Sequence, residues 1–105
     1  MRKYRYPKYF KKSRPEVDTE VYQNWRKSVL RRDKCKCVVC GKRGFIVHHL
    51  DGWSWCISRR YDIDNGVVVC SKHHNQFHKI YSRKHNTQQQ FILFLNRYYK
   101  KTLDI

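Results

Sequence analysis

The sequence predicts a small α+β domain held together by a structural metal, and three observations predict it. Two paired Cys/His half-sites stand 30 residues apart, and the apolar pattern runs helix, strand, strand, helix, helix. A chain of 105 residues is also too short to bury a generous core without a staple. Hydrophobic residues make up 40% of it, yet 24 Lys and Arg against 8 Asp and Glu leave a net charge of +16. Such a field repels itself unless an anionic partner is near, which leaves nucleic acid, an acidic membrane surface or an acidic protein. No apolar run approaches the roughly 20 residues of a membrane span. The basic start MRKYRYPKYFKK is not followed by the apolar stretch of a signal peptide. The expectation is a cytoplasmic chain with no membrane partner. Five Cys, an odd number, beside six His suit metal chemistry in a reducing compartment.

Residues 1–17 read as a basic, flexible arm, with seven Lys or Arg and no acid in the first 14. Tyr4, Tyr6, Tyr9 and Phe10 lie between the charges, and Pro7 and Pro15 break any helix. The arm is either a solvated tail or a phosphate-gripping strap, with Arg2, Lys3 and Arg5 as candidate DNA contacts. A single domain, residues 18–105, follows.

From a cap at Asp18 or Thr19, EVYQNWRKSVLRRD spaces Val21, Trp25 and Val29 four apart with Tyr22 and Leu30 beside them, an amphipathic helix. Its other face carries Arg26, Lys27, Arg31 and Arg32. CKCVVCGKRGF is a knuckle with Gly41 and Gly44 as turn residues, and IVHHL is a short strand. A turn-rich loop, DGWSWCISRRYDIDNG, leads to a second short strand at Val67, Val68 and Val69. A second helix is expected from an N-cap near Ser71 through KHHNQFHKIYS. A third is signalled by Thr87 with Gln90 three residues on, with Phe91, Leu95, Tyr98 and Tyr99 on one side.

Cys37 and Cys40 form one C-x2-C half-site, and Cys70 with His73 forms the other. The x2 spacing lets both side chains of a half-site turn back on one ion, so the four make a tetrahedral Cys3His zinc site. Zinc binding then supplies folding energy that the short core lacks. Cys35 offers an alternative first ligand, but Cys37 has the x2 partnership with Cys40. Cys56 has no partner at ligand spacing and reads as a packed or exposed thiol.

His85, in RKHNT, reads as a structural histidine. The other five do not stand alone. His48 and His49 adjoin in a strand, so their side chains point to opposite faces. His74 and His78 lie one turn apart on one helix face, whereas His73 and His74 diverge by about 100°. Phe77 and Ile80 fall on the side of His73, so the helix becomes a wall between a zinc site and a second site.

Read together, Cys37-Val-Val-Cys40-Gly41, Val47-His48-His49-Leu50, Asn65-Gly66, Val69-Cys70, and His73-His74 with His78 resemble the motif of the HNH endonucleases in its zinc-stapled form. The similarity covers about residues 30–80, and with its flanking helices the chain resembles small free-standing enzymes of phage and mobile elements. The resemblance implies a ββα-metal (HNH) core stapled by zinc, with flanking N- and C-terminal helices. It makes His49 the general base and His48 and His74 ligands of a catalytic divalent ion. Asn65 becomes the motif's central Asn, which either ligates the ion or pins the loop that orients the base. His78 matches a third ligand found in the nuclease-colicin branch, and its alternative role is a hydrogen bond to the scissile phosphate. Double-stranded DNA is the implied substrate and 5′-phosphate and 3′-hydroxyl ends the implied products, from a monomer that nicks or a homodimer that cuts both strands.

An all-imidazole site suits Mn2+, Ni2+ or Zn2+, and Mg2+ with phosphate and water oxygens completing its shell is the further choice. Arg59, Arg60 and Lys79 lie near enough in sequence to hold flanking phosphates. The competing reading is a basic zinc-binding module that grips DNA or RNA without cutting it. That module explains the charge and the Cys3His set but has no use for His48, His49, Asn65, His74 and His78.

Overall fold

A computed structural model describes residues 19–103; the basic arm, with Arg2, Lys3 and Arg5, lies outside the described residues, as does Asp18. Helix α1 (Glu20–Arg32) begins at Thr19, whose hydroxyl accepts from the Tyr22 amide at 3.1 Å. Next come strand β1 (Ile46–His49), strand β2 (Gly66–Val69), helix α2 (Ser71–Tyr81) and helix α3 (Gln88–Tyr99). Two short 3-10 turns, Ile57–Arg59 and Ile63–Asn65, break the loop between the strands.

The strands pair antiparallel, with His48 opposite Val67 and His49 opposite Gly66. A two-stranded ribbon of four-residue strands is not stable by itself, so both its faces must be covered. On one face Val67 and Val69 pack with Leu50, Phe77, Phe91, Phe94 and Leu95 under α2 and α3. On the other face Val68 packs with Trp25 and Val29 of α1, flanked by Tyr22, Leu30 and Val47. Successive strand residues alternate between the faces, and that decides where the histidines go. His48 shares its side with Val67 and turns to α2, while His49 shares its side with Gly66 and turns to α1.

Polar ties fix α1 to the ribbon. Asp33, its C-cap, accepts from the Val68 amide at 3.1 Å, and Arg32 donates to the Gly66 carbonyl at 2.6 Å and the Ile63 carbonyl at 2.8 Å. Arg26 donates to the Phe45 carbonyl at 2.7 Å. Two of the helix's four polar-face cations therefore clamp loop carbonyls. Gly66 has no room for a side chain: a Cβ there would lie 2.6 Å from Trp25 and 2.9 Å from Val29. In the knuckle, Gly41 takes φ +77°, the left-handed conformation that the C-x2-C-G turn needs.

The structure corrects four details. Val21 is exposed, and α1 buries only Trp25 and Val29 fully. Cys70, not Ser71, is the N-cap of α2, and it makes no side-chain capping bond because its sulfur turns to the Cys/His group. Ile80 is 41% exposed although it shares its sequence pattern with buried Phe77. The capping box at Thr87 and Gln90 is present in α3, but the buried stripe there is Phe91, Phe94 and Leu95. Tyr98 is left 46% exposed, while the Tyr99 ring meets His73 and its hydroxyl donates to Gln76. No described helix is long and apolar enough to cross a membrane.

Candidate active site

Cys37, Cys40, Cys70 and His73 come together with their ligand atoms within 4.8 Å of one another. The knuckle brings the first two and the start of α2 the others. Cys40 Sγ lies 3.9 Å from Cys70 Sγ, and His73 Nδ1 lies 3.9 Å from Cys37 Sγ and 3.2 Å from Cys70 Sγ. Two sulfurs bound at about 2.3 Å to a tetrahedral ion are about 3.8 Å apart, so the group has the dimensions of a zinc site. Burial opposes ionisation of Cys70, but the amides of His73 and Lys72 at the start of α2, with the Cys37 and Cys40 side chains, lower its pKa overall. Cys35 is outside the group; its backbone, at φ 54°, instead turns the chain between α1 and the knuckle. Cys56 is half-buried, its Sγ 4.0 Å from Ser58 Oγ, and it too is outside the group.

A second cluster lies on the other side of α2. Ring nitrogens of His48, His74 and His78 lie within 4.8 Å of one another, although His48 comes from β1 and the others from the helix. His74 Nε2 and His78 Nε2 are 3.0 Å apart. That separation is what two ligands about 2.1 Å from a shared ion subtend at a right angle. His78 Nδ1 donates to the Ser82 carbonyl at 2.8 Å, which leaves its Nε2 lone pair facing the cluster. His48 Nε2 is buried without a hydrogen-bond partner among the described residues. A buried polar atom in that state needs a partner, and a cation shared with His74 and His78 provides one.

Burial pushes the His48 pKa well below that of a free imidazole, with the charges of His74 and His78 adding to the effect. Burial, then His78 and Arg83, takes His74 down to about 4. Burial also lowers His78, against the opposing pull of the Ser82 carbonyl. All three are therefore neutral at pH 7, with lone pairs ready for a metal. The shifts also set a pH dependence. Between about pH 6.5 and 4 the unfolded chain takes up protons that the folded one refuses, so stability falls as pH drops through that window. Thermal melts at pH 7.5 and 5.0 are expected to show a lower Tm at pH 5.0; an equal or higher one contradicts the neutral cluster.

His49 faces the other way, into a cleft of about 630 Å3 that it lines together with His48, His74, His78, Trp53, Arg60 and Arg83. Its ring stacks on Trp25 with centroids 4.0 Å apart and planes 19° from parallel, and the edge of Trp53 meets it at 5.4 Å. Its Nε2 lies 2.8 Å from the Arg60 carbonyl, which can only accept, so Nε2 carries the proton. In the neutral ring Nδ1 is then the basic nitrogen. Trp25 is itself held, donating from Nε1 to the Asp62 carbonyl at 2.6 Å.

Asn65 is fully buried, and its whole side chain is used to tie backbone. Its Oδ1 accepts from the Asp51 amide at 2.8 Å, and its Nδ2 donates to the carbonyls of Asp51 and Arg59, both at 3.0 Å. Both polar atoms of Asn65 are engaged with backbone, so of its two roles loop pinning is the one that matches this geometry. The pinned loop is the one whose Arg60 carbonyl holds His49. Asn65→Ala strands three backbone groups and is expected to cost about 2–4 kcal/mol, read as a fall in urea midpoint; an unchanged midpoint rules out the pin.

Arg59 and Arg60 also have work within the protein. Arg59 pairs with Asp51 at 2.5 Å and donates to Gln88 at 3.2 Å. Arg60 donates from Nε to the Trp53 carbonyl at 2.8 Å and lies over the Trp53 ring at 4.4 Å. Lys79 is exposed on α2 and does not line the cleft, whereas His85, expected to be structural, is exposed at its rim. Sequence reasoning missed Trp25, Asp51 and Arg83 as site residues. For Trp25 the only signal was an aromatic on the helix face that also packs the core.

No family model and no curated protein matches the chain. Among solved structures, the crystal structure of the HNH endonuclease of the deep-sea thermophilic bacteriophage GVE2, with manganese ion, superposes with a TM-score of 0.63. Identity is 26%, over 71% of this chain and 87% of that one. The antiparallel ribbon flanked by helices is shared with that HNH endonuclease, and this α+β chain, with its Cys3His group and its second, all-histidine cluster, is similar to it in fold.

Proposed function

We propose that the protein hydrolyses phosphodiester bonds of double-stranded DNA, with His49 as general base and a divalent ion on His48, His74 and His78. The observation that carries this reading is the opposed pair on β1. His48 is buried against two helix histidines with an orphaned nitrogen, while His49 is held in one tautomer at the cleft.

His49 Nδ1 takes a proton from water attacking the scissile phosphorus, and the Arg60 carbonyl stabilises the imidazolium by accepting from Nε2. Trp25 and Trp53 fix the plane of the ring, so the lone pair keeps one direction. Asn65 acts at one remove, by holding the loop that carries the Arg60 carbonyl. His48, His74 and His78 would hold a divalent ion, which would supply positive charge to offset that building on the phosphate and the leaving 3′ oxygen. Mn2+, Ni2+, Zn2+ and Mg2+ are the candidates, and the GVE2 enzyme was crystallised with manganese. Zn2+ at the Cys3His group serves the fold. The expected products are 5′-phosphate and 3′-hydroxyl ends.

The test is incubation of the purified protein with supercoiled plasmid and each ion in turn. Nicked or linear product whose ends accept ligase directly is expected. A plasmid left supercoiled with every ion, at protein concentrations that shift it on a gel, identifies a binding module instead.

A further inference from the structure

We infer that Arg83 is a phosphate-binding residue of the cleft, gripping a backbone phosphate of the nucleic acid that lies across the histidines. The inference rests on the nuclease reading above and assigns a residue to it. Among the described residues two arginines line the cleft, Arg60 and Arg83. Arg60 is held on Trp53, and neighbouring Arg59 is held by Asp51 and Gln88. The guanidinium of Arg83 is exposed and makes no hydrogen bond or ion pair among the described residues. It lines the same cleft as His74 and His78. A planar fork of donors with no internal partner, beside a cluster that handles phosphate, suits a phosphate's oxygens better than any other group in the cleft.

The backbone that carries Arg83 is braced although its side chain is free. Ser82 adopts φ 65° and ψ −175°, a region essentially reserved for glycine. That strained residue turns its carbonyl to accept from His78 Nδ1 at 2.8 Å and from Asn86 Nδ2 at 3.1 Å. Asn86 is buried, and its own carbonyl accepts from the Gly52 amide at 2.9 Å and from Trp55 Nε1 at 2.7 Å. One strained turn therefore aims His78 and places Arg83 at the cleft beside it, so that cation and histidine keep a common frame.

The test uses a short duplex cleaved by the wild-type protein and a set of duplexes each with one phosphate near the cut replaced by a neutral methylphosphonate. Arg83→Gln is expected to lower kcat/KM by about 10- to 100-fold on the natural duplex, with unchanged Tm because the side chain has no internal partner. Arg83→Lys, which keeps charge but loses the fork, is expected to recover part of that loss. On one modified duplex the Arg83→Gln penalty is expected to shrink to within about twofold, because its phosphate partner is already neutral. A penalty below about threefold on the natural duplex, or one equal on every modified duplex, overturns the assignment. A binding arm keeps failure of the nuclease reading distinct. On uncut duplex, in a His49→Ala background, Arg83→Gln is expected to reduce the slope of log affinity against log salt by about 1. If the wild type cuts nothing, the nuclease reading fails, and an unchanged slope then overturns Arg83 as well.

Discussion

Replacing His49 by Ala is expected to lower kcat on plasmid DNA by about 100- to 10,000-fold, the range contributed by a positioned general base. Zinc content and DNA affinity are expected to stay within about twofold of wild type. The separation follows from the strand register. His49 faces Trp25 and the cleft, on the opposite side of the ribbon from His48, so removing its ring leaves all seven metal-group residues untouched. The vacated space lies between Trp25 and Trp53 at the cleft, where water can enter. His49→Gln offers an amide donor to the Arg60 carbonyl but no comparable base, and it is expected to be as inactive as Ala. Cleavage by either variant above about a tenth of the wild-type rate would assign the base elsewhere, and loss of zinc in either would show that the register argument is wrong.

The half of the site set by local geometry was legible in the sequence. The x2 spacing located all four members of the Cys3His group, and the i, i+4 spacing put His74 and His78 on one helix face. Alternation along β1 separated His48 from His49. What sequence could not supply was contact across elements. That His48 reaches the α2 histidines depends on the ribbon lying on that helix, and the stack of Trp25 on His49 depends on α1 covering the other face. Periodicity also overstated the buried faces. It marks which side of a helix is apolar, but not where the core beneath it ends, so Val21, Ile80 and Tyr98 are exposed while Phe94, at the centre of the α3 stripe, was passed over. Arginines are the least legible of all. Arg59 and Arg60 look available in the chain and are held by Asp51 and Trp53, while Arg83 is available only because of the turn that presents it.

The second large effect is expected at the Cys3His group, where Cys37→Ser is expected to unfold the described domain. Cys37 is buried within the main core with Val39, Phe77 and Phe94, so its sulfur is both ligand and packing atom. Structural zinc contributes about 10–16 kcal/mol in small zinc peptides at neutral pH. Domains of this size have about 5–15 kcal/mol of net stability, so losing the ion removes most or all of it. The centre of the knuckle, between Cys37 and Cys40, is tied to the rest by the Val38 amide on the Val68 carbonyl at 2.8 Å and Lys101 on the Val39 carbonyl at 2.5 Å, while its ends are tied to α1 and its cap by the Cys35 and Lys36 amides and by Arg26 on the Phe45 carbonyl. Collapse of amide dispersion in a two-dimensional NMR spectrum, with zinc lost from the protein, is the expected readout. Cys35→Ser, outside the group, is expected to keep both zinc and dispersion and to shift stability by less than about 1 kcal/mol. His78→Ala, on the far side of the same helix, is expected to lose divalent-dependent cleavage while keeping zinc and a folded spectrum. A folded Cys37→Ser protein, or an unfolded His78→Ala one, would mean that α2 does not separate a structural metal from a catalytic one.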